Sequence, residues 1–215
     1  TKVLAGGTDM LVKLRVRREQ PDILMDSKEI PELNELSFDP NKGLTLGAAV
    51  PLYKLYDHPD VKKYYPALVD STTIIGGIPI QGRATVGGNL CNAAPSADTI
   101  PTLIVLGATA LIQSSEGTRE VNVDEFCTGP GSNILKSNEI LVSINVPAPK
   151  QNSGAHYMRF IPRNEMDIAV VGIGTYVELN SSGDKFEEVN VSLASVAPTP
   201  IYVTEISKFL SGIKG

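Results

Sequence analysis

The chain has 215 residues, 42% of them apolar and 20% charged, enough to build a real hydrophobic core. Its formal net charge of −5 offers no general attraction for nucleic acid or an anionic membrane surface. No apolar run approaches the roughly 18 residues of a membrane-spanning helix.

In chain order, "TKVLAGG" reads as a strand and its turn, and "TDMLVKLRVR" as a helix with Met10, Leu11 and Leu14 on one side. "DILMD" (22–26) reads as a second strand, followed by a short helix in "IPELNEL" where Pro31 suits the first turn. "GLTLGAAV" (43–50) reads as a third strand. The long intervening helix suits a parallel pair, so residues 1–50 are expected to form a strand–helix–strand–helix–strand unit. A helical stretch, 52–75, is interrupted at Pro59 and Pro66. Residues 76–98, rich in Gly, Pro, Ala and Asn, read as one long loop, a kind that compact domains keep for function. Then come a helix after Asp98, a hairpin around Glu116-Gly117, and a strand in "EILVSINVP". "APKQNSGA" (148–155) marks a linker, beyond which three antiparallel strands turn at "NSSGDK". A helix in "VTEISKFLSG" ends at Gly212 as a C-cap. The apolar run at residue 1 and this last helix predict incomplete element sets at both ends.

Cys91 and Cys127 are far apart in sequence and fall in no C-x-x-C motif. Two thiols are too few for a zinc or iron–sulfur site, and they read as reduced cysteines of a cytoplasmic protein. His58 and His156 have no partner at triad or metal spacing, and His58 reads as exposed. No residue reads as catalytic.

The chemistry resides in the glycines. Gly6-Gly7 lies between a strand and a helix opened by Thr8 or Asp9. Glycine permits positive φ and close ligand approach, and a helix start offers unpaired N–H donors to an anion. A plain tight turn explains the pair equally. Gly87-Gly88 in "ATVGGNL" reads as an anion-binding nest in the long loop. Two other patterns fail. Gly77 and Gly82 have the spacing of a phosphate-binding P-loop, but Arg83-Ala84 replaces its Lys-Ser/Thr. "GIGTYV" (172–177) lies mid-strand, where its glycines point to close backbone packing. Phosphate-cradling loops without acid–base residues suit a protein that holds a reactive cofactor.

Four stretches in order, "AGGTDM", "ATVGGNLCNAAPSAD", "NEILVSINVP" and "RNEMDIAVVG", make the chain resemble the FAD-binding (medium) subunit of molybdenum hydroxylases. These are the xanthine dehydrogenase and carbon monoxide dehydrogenase family. The resemblance implies an α+β fold, the FAD-binding fold of the vanillyl-alcohol-oxidase (PCMH) type. Two α/β subdomains (1–50, 51–149) would precede the start of a C-terminal antiparallel sheet-and-helix domain (150–215). It implies that Leu4, Ala5, Gly6, Gly7, Thr8 and Asp9 wrap the FAD pyrophosphate from one side, with Thr85, Gly87, Gly88 and Asn89 on the other. Asp98 would bond the ribose or adenosine end, although simple N-capping of its helix explains it too. Leu141 would pack near the adenine, and Arg159 would sit near the flavin pyrimidine. Members usually carry an Arg-Asn pair at Gly82-Arg83 and often Arg-Arg at Arg163-Asn164, so this chain departs there.

The implied role is electron transfer by non-covalent FAD, from a [2Fe–2S] small subunit served by a molybdopterin large subunit, to NAD or another acceptor. The alternatives are a stand-alone flavin oxidoreductase of the same fold and a flavin-free nucleotide-binding scaffold subunit.

Overall fold

A computed structural model describes residues 1–163 and 167–214. β1 (Lys2–Leu4) leads through α1 (Met10–Arg15) to β2 (Leu24–Asp26), and β1 and β2 pair in parallel as a small two-stranded sheet. A 3₁₀ turn at Pro31–Asn34 has proline in its first turn. The chain then forms β3 (Leu36–Asp39) and β4 (Gly43–Gly47).

The strand–helix–strand–helix–strand unit expected of residues 1–50 does not form. β4 is not the third strand of the first unit. It pairs antiparallel with β3 and with β9 (Ile140–Val146), in a five-stranded sheet ordered β3-β4-β9-β5-β6, where β5 is Thr109–Ser114 and β6 is Gly117–Asn122. β3 is a further strand, in a segment whose start reads as helix in the sequence. Its turn is made by Asp39, whose carboxylate accepts from the N–H groups of Asn41 and Lys42, and by Gly43 at φ +102°.

Three short helices follow β4: α2 (Leu52–Asp57), α3 (Pro59–Tyr64) and α4 (Pro66–Thr73). Pro59 and Pro66 each occupy a first helical turn, where a missing N–H costs nothing. A second correction concerns residues 76–98. They hold α5 (Ile78–Gln81) and α6 (Val86–Asn92), with the next helix, α7 (Thr99–Val105), close behind. Leu52, Leu55, Val61, Leu68, Leu90, Ile100 and Leu103 pack against Leu44, Leu46, Ala110, Ile112 and Ile144 of the sheet in one continuous core.

A small hairpin, β7 (Cys127–Gly129) and β8 (Ser132–Asn133), clasps the end of α6, with the Asn133 amide donating to the Cys91 carbonyl at 2.7 Å. The second large sheet is antiparallel: β10 (Ser153–Phe160), β11 (Val171–Leu179), β12 (Phe186–Ala194) and β13 (Ile201–Tyr202). α8 (Thr204–Leu210) packs on β12, and Gly212 follows its end at φ +79°.

Every residue of α7 is buried. One side of this helix joins the five-stranded sheet's core, and the other meets β11 and β12. The close packing expected of "GIGTYV" explains how. A β-carbon on Gly174 would lie 2.8 Å from the Pro101 carbonyl group, so glycine lets the second sheet seat on the helix's first turn. α1, by contrast, buries no residue, and Leu11 of its expected packing face is 48% exposed.

Candidate functional site

The first glycine pair forms one wall. Ser27 anchors the end of β1, its N–H and its hydroxyl both donating to the Leu4 carbonyl at 3.1 Å. Gly7 then turns the chain at φ +78°, a conformation costly for any residue with a β-carbon. Among the described residues, the N–H groups of Gly6, Gly7 and Thr8 meet no acceptor. Asp9 precedes α1 but makes no side-chain cap bond. Three unmatched donors in one turn are a feature of an anion site, since such groups are otherwise paired.

The second wall is the start of α6, and it corrects the expectation of a loop nest. Thr85 is the N-cap, its hydroxyl oxygen accepting from the Gly88 N–H at 2.8 Å. Gly87 and Gly88 therefore lie in the first helical turn, whose remaining N–H groups point outward along the axis. Gly87 is glycine because the turn after β4 passes directly behind it. A β-carbon there would lie 2.5 Å from the Ala48 carbonyl oxygen. Asn89 accepts the Thr99 hydroxyl at 2.6 Å, tying α6 to α7.

The two walls meet. A β-carbon on Gly6 would lie 2.2 Å from the Arg83 carbonyl oxygen, so the turn rests directly on the approach to α6. Arg83 Nε donates to the Gly6 carbonyl at 3.0 Å, and Lys13 Nζ of α1 donates to Asn92 Oδ1 of α6 at 2.9 Å. Two donor-bearing turns therefore meet beside two cations, with glycine at each close approach. That cradle fits a pyrophosphate. Arg83, one of the departing positions, joins the walls. Its neighbour Gln81 is buried and donates to the Thr73 carbonyl.

Asp98, Arg159 and Leu141 lie deeper. Asp98 opens α7, but its carboxylate makes no cap bond. It accepts from Tyr157 Oη at 2.8 Å and from Arg159 Nη1 at 3.0 Å instead. Arg159 Nη2 also donates to the Ile74 carbonyl at 2.8 Å. Burial pushes Asp98 above the usual carboxylate range against the pull of Arg159 and the Tyr157 hydroxyl. Tyr157 is held protonated by burial and by the carboxylate beside it. Leu141 pairs with Ile112 across the sheet and is 3% exposed, within the core.

Tyr157 was missed in the sequence. The signal for it was the alternation in "HYMRFI", which puts Tyr157 and Arg159 on the same face of β10.

Other groups lie apart from this site. His58 is half-buried rather than exposed, with a shielded Nδ1, because its ring packs at the junction of α2 and α3. His156 Nδ1 is 2.7 Å from Asp70 Oδ2. A cleft of about 310 Å³ between Tyr65 and Gly154 includes Lys150, which bridges Glu178 and Glu188. Cys91 and Cys127 are free thiols. Among the described residues no three His, Cys, Asp or Glu side chains gather as a metal site, and no helix is long and apolar enough to cross a membrane. Asn164, where the family often has arginine, lies outside the described residues.

Residues 1–149 match the family model described as the FAD binding domain in molybdopterin dehydrogenase. Residues 156–214 match that of the CO dehydrogenase flavoprotein C-terminal domain. The chain is 33% identical over 201 residues to the xanthine dehydrogenase FAD-binding subunit of Escherichia coli O157:H7, covering 93% of this chain and 68% of that protein. It is 30% identical over 200 residues to the carbon monoxide dehydrogenase medium chain of Hydrogenophaga pseudoflava, with the same coverage. Among solved structures, carbon monoxide dehydrogenase from Hydrogenophaga pseudoflava superposes with a TM-score of 0.92 at 27% identity, over 99% of this chain and 73% of that one. Quinoline 2-oxidoreductase from Pseudomonas putida 86 superposes with a TM-score of 0.88 at 27% identity, over 98% and 72%.

Proposed function

The chain belongs to the FAD-binding subunits of the molybdopterin dehydrogenases, the xanthine and carbon monoxide dehydrogenase family, and from that premise we propose how it holds its cofactor and where its electrons go. The observation that carries the proposal is the contact between the two glycine turns through Gly6 and Arg83.

Leu4 to Asp9 cover one side of the FAD pyrophosphate with the free N–H groups of Gly6, Gly7 and Thr8. Thr85, Gly87, Gly88 and Asn89 cover the other, where the first turn of α6 adds donors and a partial positive charge. Asp98 takes the ribose or adenosine end, Leu141 underlies the adenine, and Arg159 faces the flavin pyrimidine. Bound FAD supplies a two-electron acceptor that also exchanges single electrons. The protein's part is to bind and orient it. Retention is non-covalent, since His58 and Cys91 lie in no attachment motif of the family.

The subunit takes electrons from the [2Fe–2S] clusters of a small partner subunit, after a molybdopterin-bearing large subunit has oxidised the substrate, and passes them to NAD or another acceptor. The carbon monoxide dehydrogenase relative is named a medium chain, which supports a place between two partners. We assign the complex to the cytoplasm on its reduced thiols.

The test is purification of the complex from its native cells through a tag on this subunit. The expected result is co-purification of two further chains carrying iron and molybdenum. A subunit recovered alone, loaded with FAD and reduced directly by a small-molecule substrate, overturns the relay reading.

A further inference from the structure

Strand β11 has glycine at two positions facing the helices, and each admits a different part of one network. Gly174 makes room for the first turn of α7, the turn that Asp98 opens. Gly172 makes room for the Tyr157 hydroxyl, which a β-carbon there would meet at 2.2 Å. The registers agree: Tyr157 pairs with Gly174, and Arg159 pairs with Gly172. Tyr157 and Arg159 thus descend from β10 onto the same carboxylate, one to each oxygen of Asp98.

All three groups are buried. Tyr157 is 3% exposed, Asp98 7%, and the Arg159 side chain 9%. A carboxylate has about four acceptor sites, and these two donors occupy one on each oxygen. Asp98 keeps acceptor capacity for a cofactor hydroxyl, while its orientation is fixed from the far sheet. Arg159 is fixed by the same carboxylate and by the Ile74 carbonyl.

We propose that Tyr157 is a positioning residue for the cofactor site, acting through Asp98 to orient both that carboxylate and the Arg159 guanidinium, so that the seating of the C-terminal sheet sets FAD affinity. The proposal rests on the assignment of Asp98 and Arg159 to FAD made above. Tyr157 itself need not touch the cofactor. A hydrogen bond to a charged group in a dry site is worth enough that its loss changes affinity about tenfold or more.

The experiment is a double-mutant cycle in the full-length subunit, read as the FAD dissociation constant from quenching of flavin fluorescence. Tyr157→Phe keeps the ring and removes the hydroxyl, and it should weaken FAD about tenfold. Gly172→Ala pushes on the hydroxyl and should weaken FAD similarly in the parent. In the Tyr157→Phe background the same Gly172→Ala change should add less than about twofold, because the 2.2 Å clash with the hydroxyl is gone and only a 3.1 Å contact with the ring remains. Variants that lower the thermal midpoint of the apoprotein yet bind FAD within twofold of the parent assign the network to stability alone and overturn the proposal. So do additive effects of the two changes on affinity. A parent subunit that does not bind FAD overturns the cofactor assignment itself, and this inference with it.

Discussion

At the scale of single residues, glycine explains most of the site. The Gly6-Gly7 and Gly87-Gly88 pairs were visible in the sequence because adjacent glycines have no role in a periodic pattern. The reasons for them were not visible. Gly87 answers to Ala48, and Gly6 to Arg83, through contacts between segments far apart in the chain. Gly7 gives the clearest prediction. Gly7→Ala forces a β-carbon into the left-handed region at φ +78° and should lower stability by about 1–2 kcal/mol. Its effect on FAD affinity should exceed tenfold, because relaxing that strain turns the donors of the cradle. Chemical unfolding and FAD titration of the same variant separate the two effects. The cysteines give a second prediction. Burial pushes the Cys91 thiol up to about 12 and Cys127 to about 11, from an ordinary 9. Above pH 9 the unfolded chain loses these protons while the folded chain keeps them, so stability should fall as pH rises from there. Both thiols should accordingly resist a thiol reagent at pH 8 until denaturant is added.

At the scale of elements, the parallel β1–β2 pair, the proline-started helices, the hairpin around Glu116 and the antiparallel C-terminal strands were all legible. Each carries a local signal: a turn residue, a proline at a first turn, or a strict alternation. The helices α5 and α6 were hidden because Gly, Pro and Asn lower helix propensity, and tertiary contacts overrode that preference. β3 was hidden because Leu36 continues the apolar pattern of "IPELNEL", which reads as a helix, although Asp39 and Gly43 mark its turn. The cap of α6 is testable. Thr85→Ala removes the acceptor of the Gly88 N–H and should cost about 1 kcal/mol in thermal or denaturant unfolding. The ion pair that closes β6 on the loop before β9 sets an acid limit. Arg119 and the Lys136 N–H hold Glu139 down to about 2, from 4.5. Its contribution is fully present above about pH 4.5 and is lost as pH falls toward 2. Glu139→Gln should therefore flatten the acid side of the stability–pH curve, measured by urea unfolding at a series of pH values.

At the scale of the whole molecule, α7 is the piece between two sheets. It is helix core to the five-stranded sheet and floor to the C-terminal sheet, and its N-cap residue, Asp98, is held by Tyr157 and Arg159 of that sheet. The fold class and the family were readable from four short stretches in register. The coupling between the sheets was not, since it depends on which oxygen of one carboxylate each donor reaches. The central claim is that the two glycine turns form one FAD site. Its most direct measurement is titration of the flavin-stripped, full-length subunit with FAD, followed by desalting and a visible spectrum. The account predicts quenched flavin fluorescence, retention of FAD at one per chain, and loss of that retention in Gly7→Ala. Flavin fluorescence unchanged by the protein, with no visible absorbance after desalting, would contradict it.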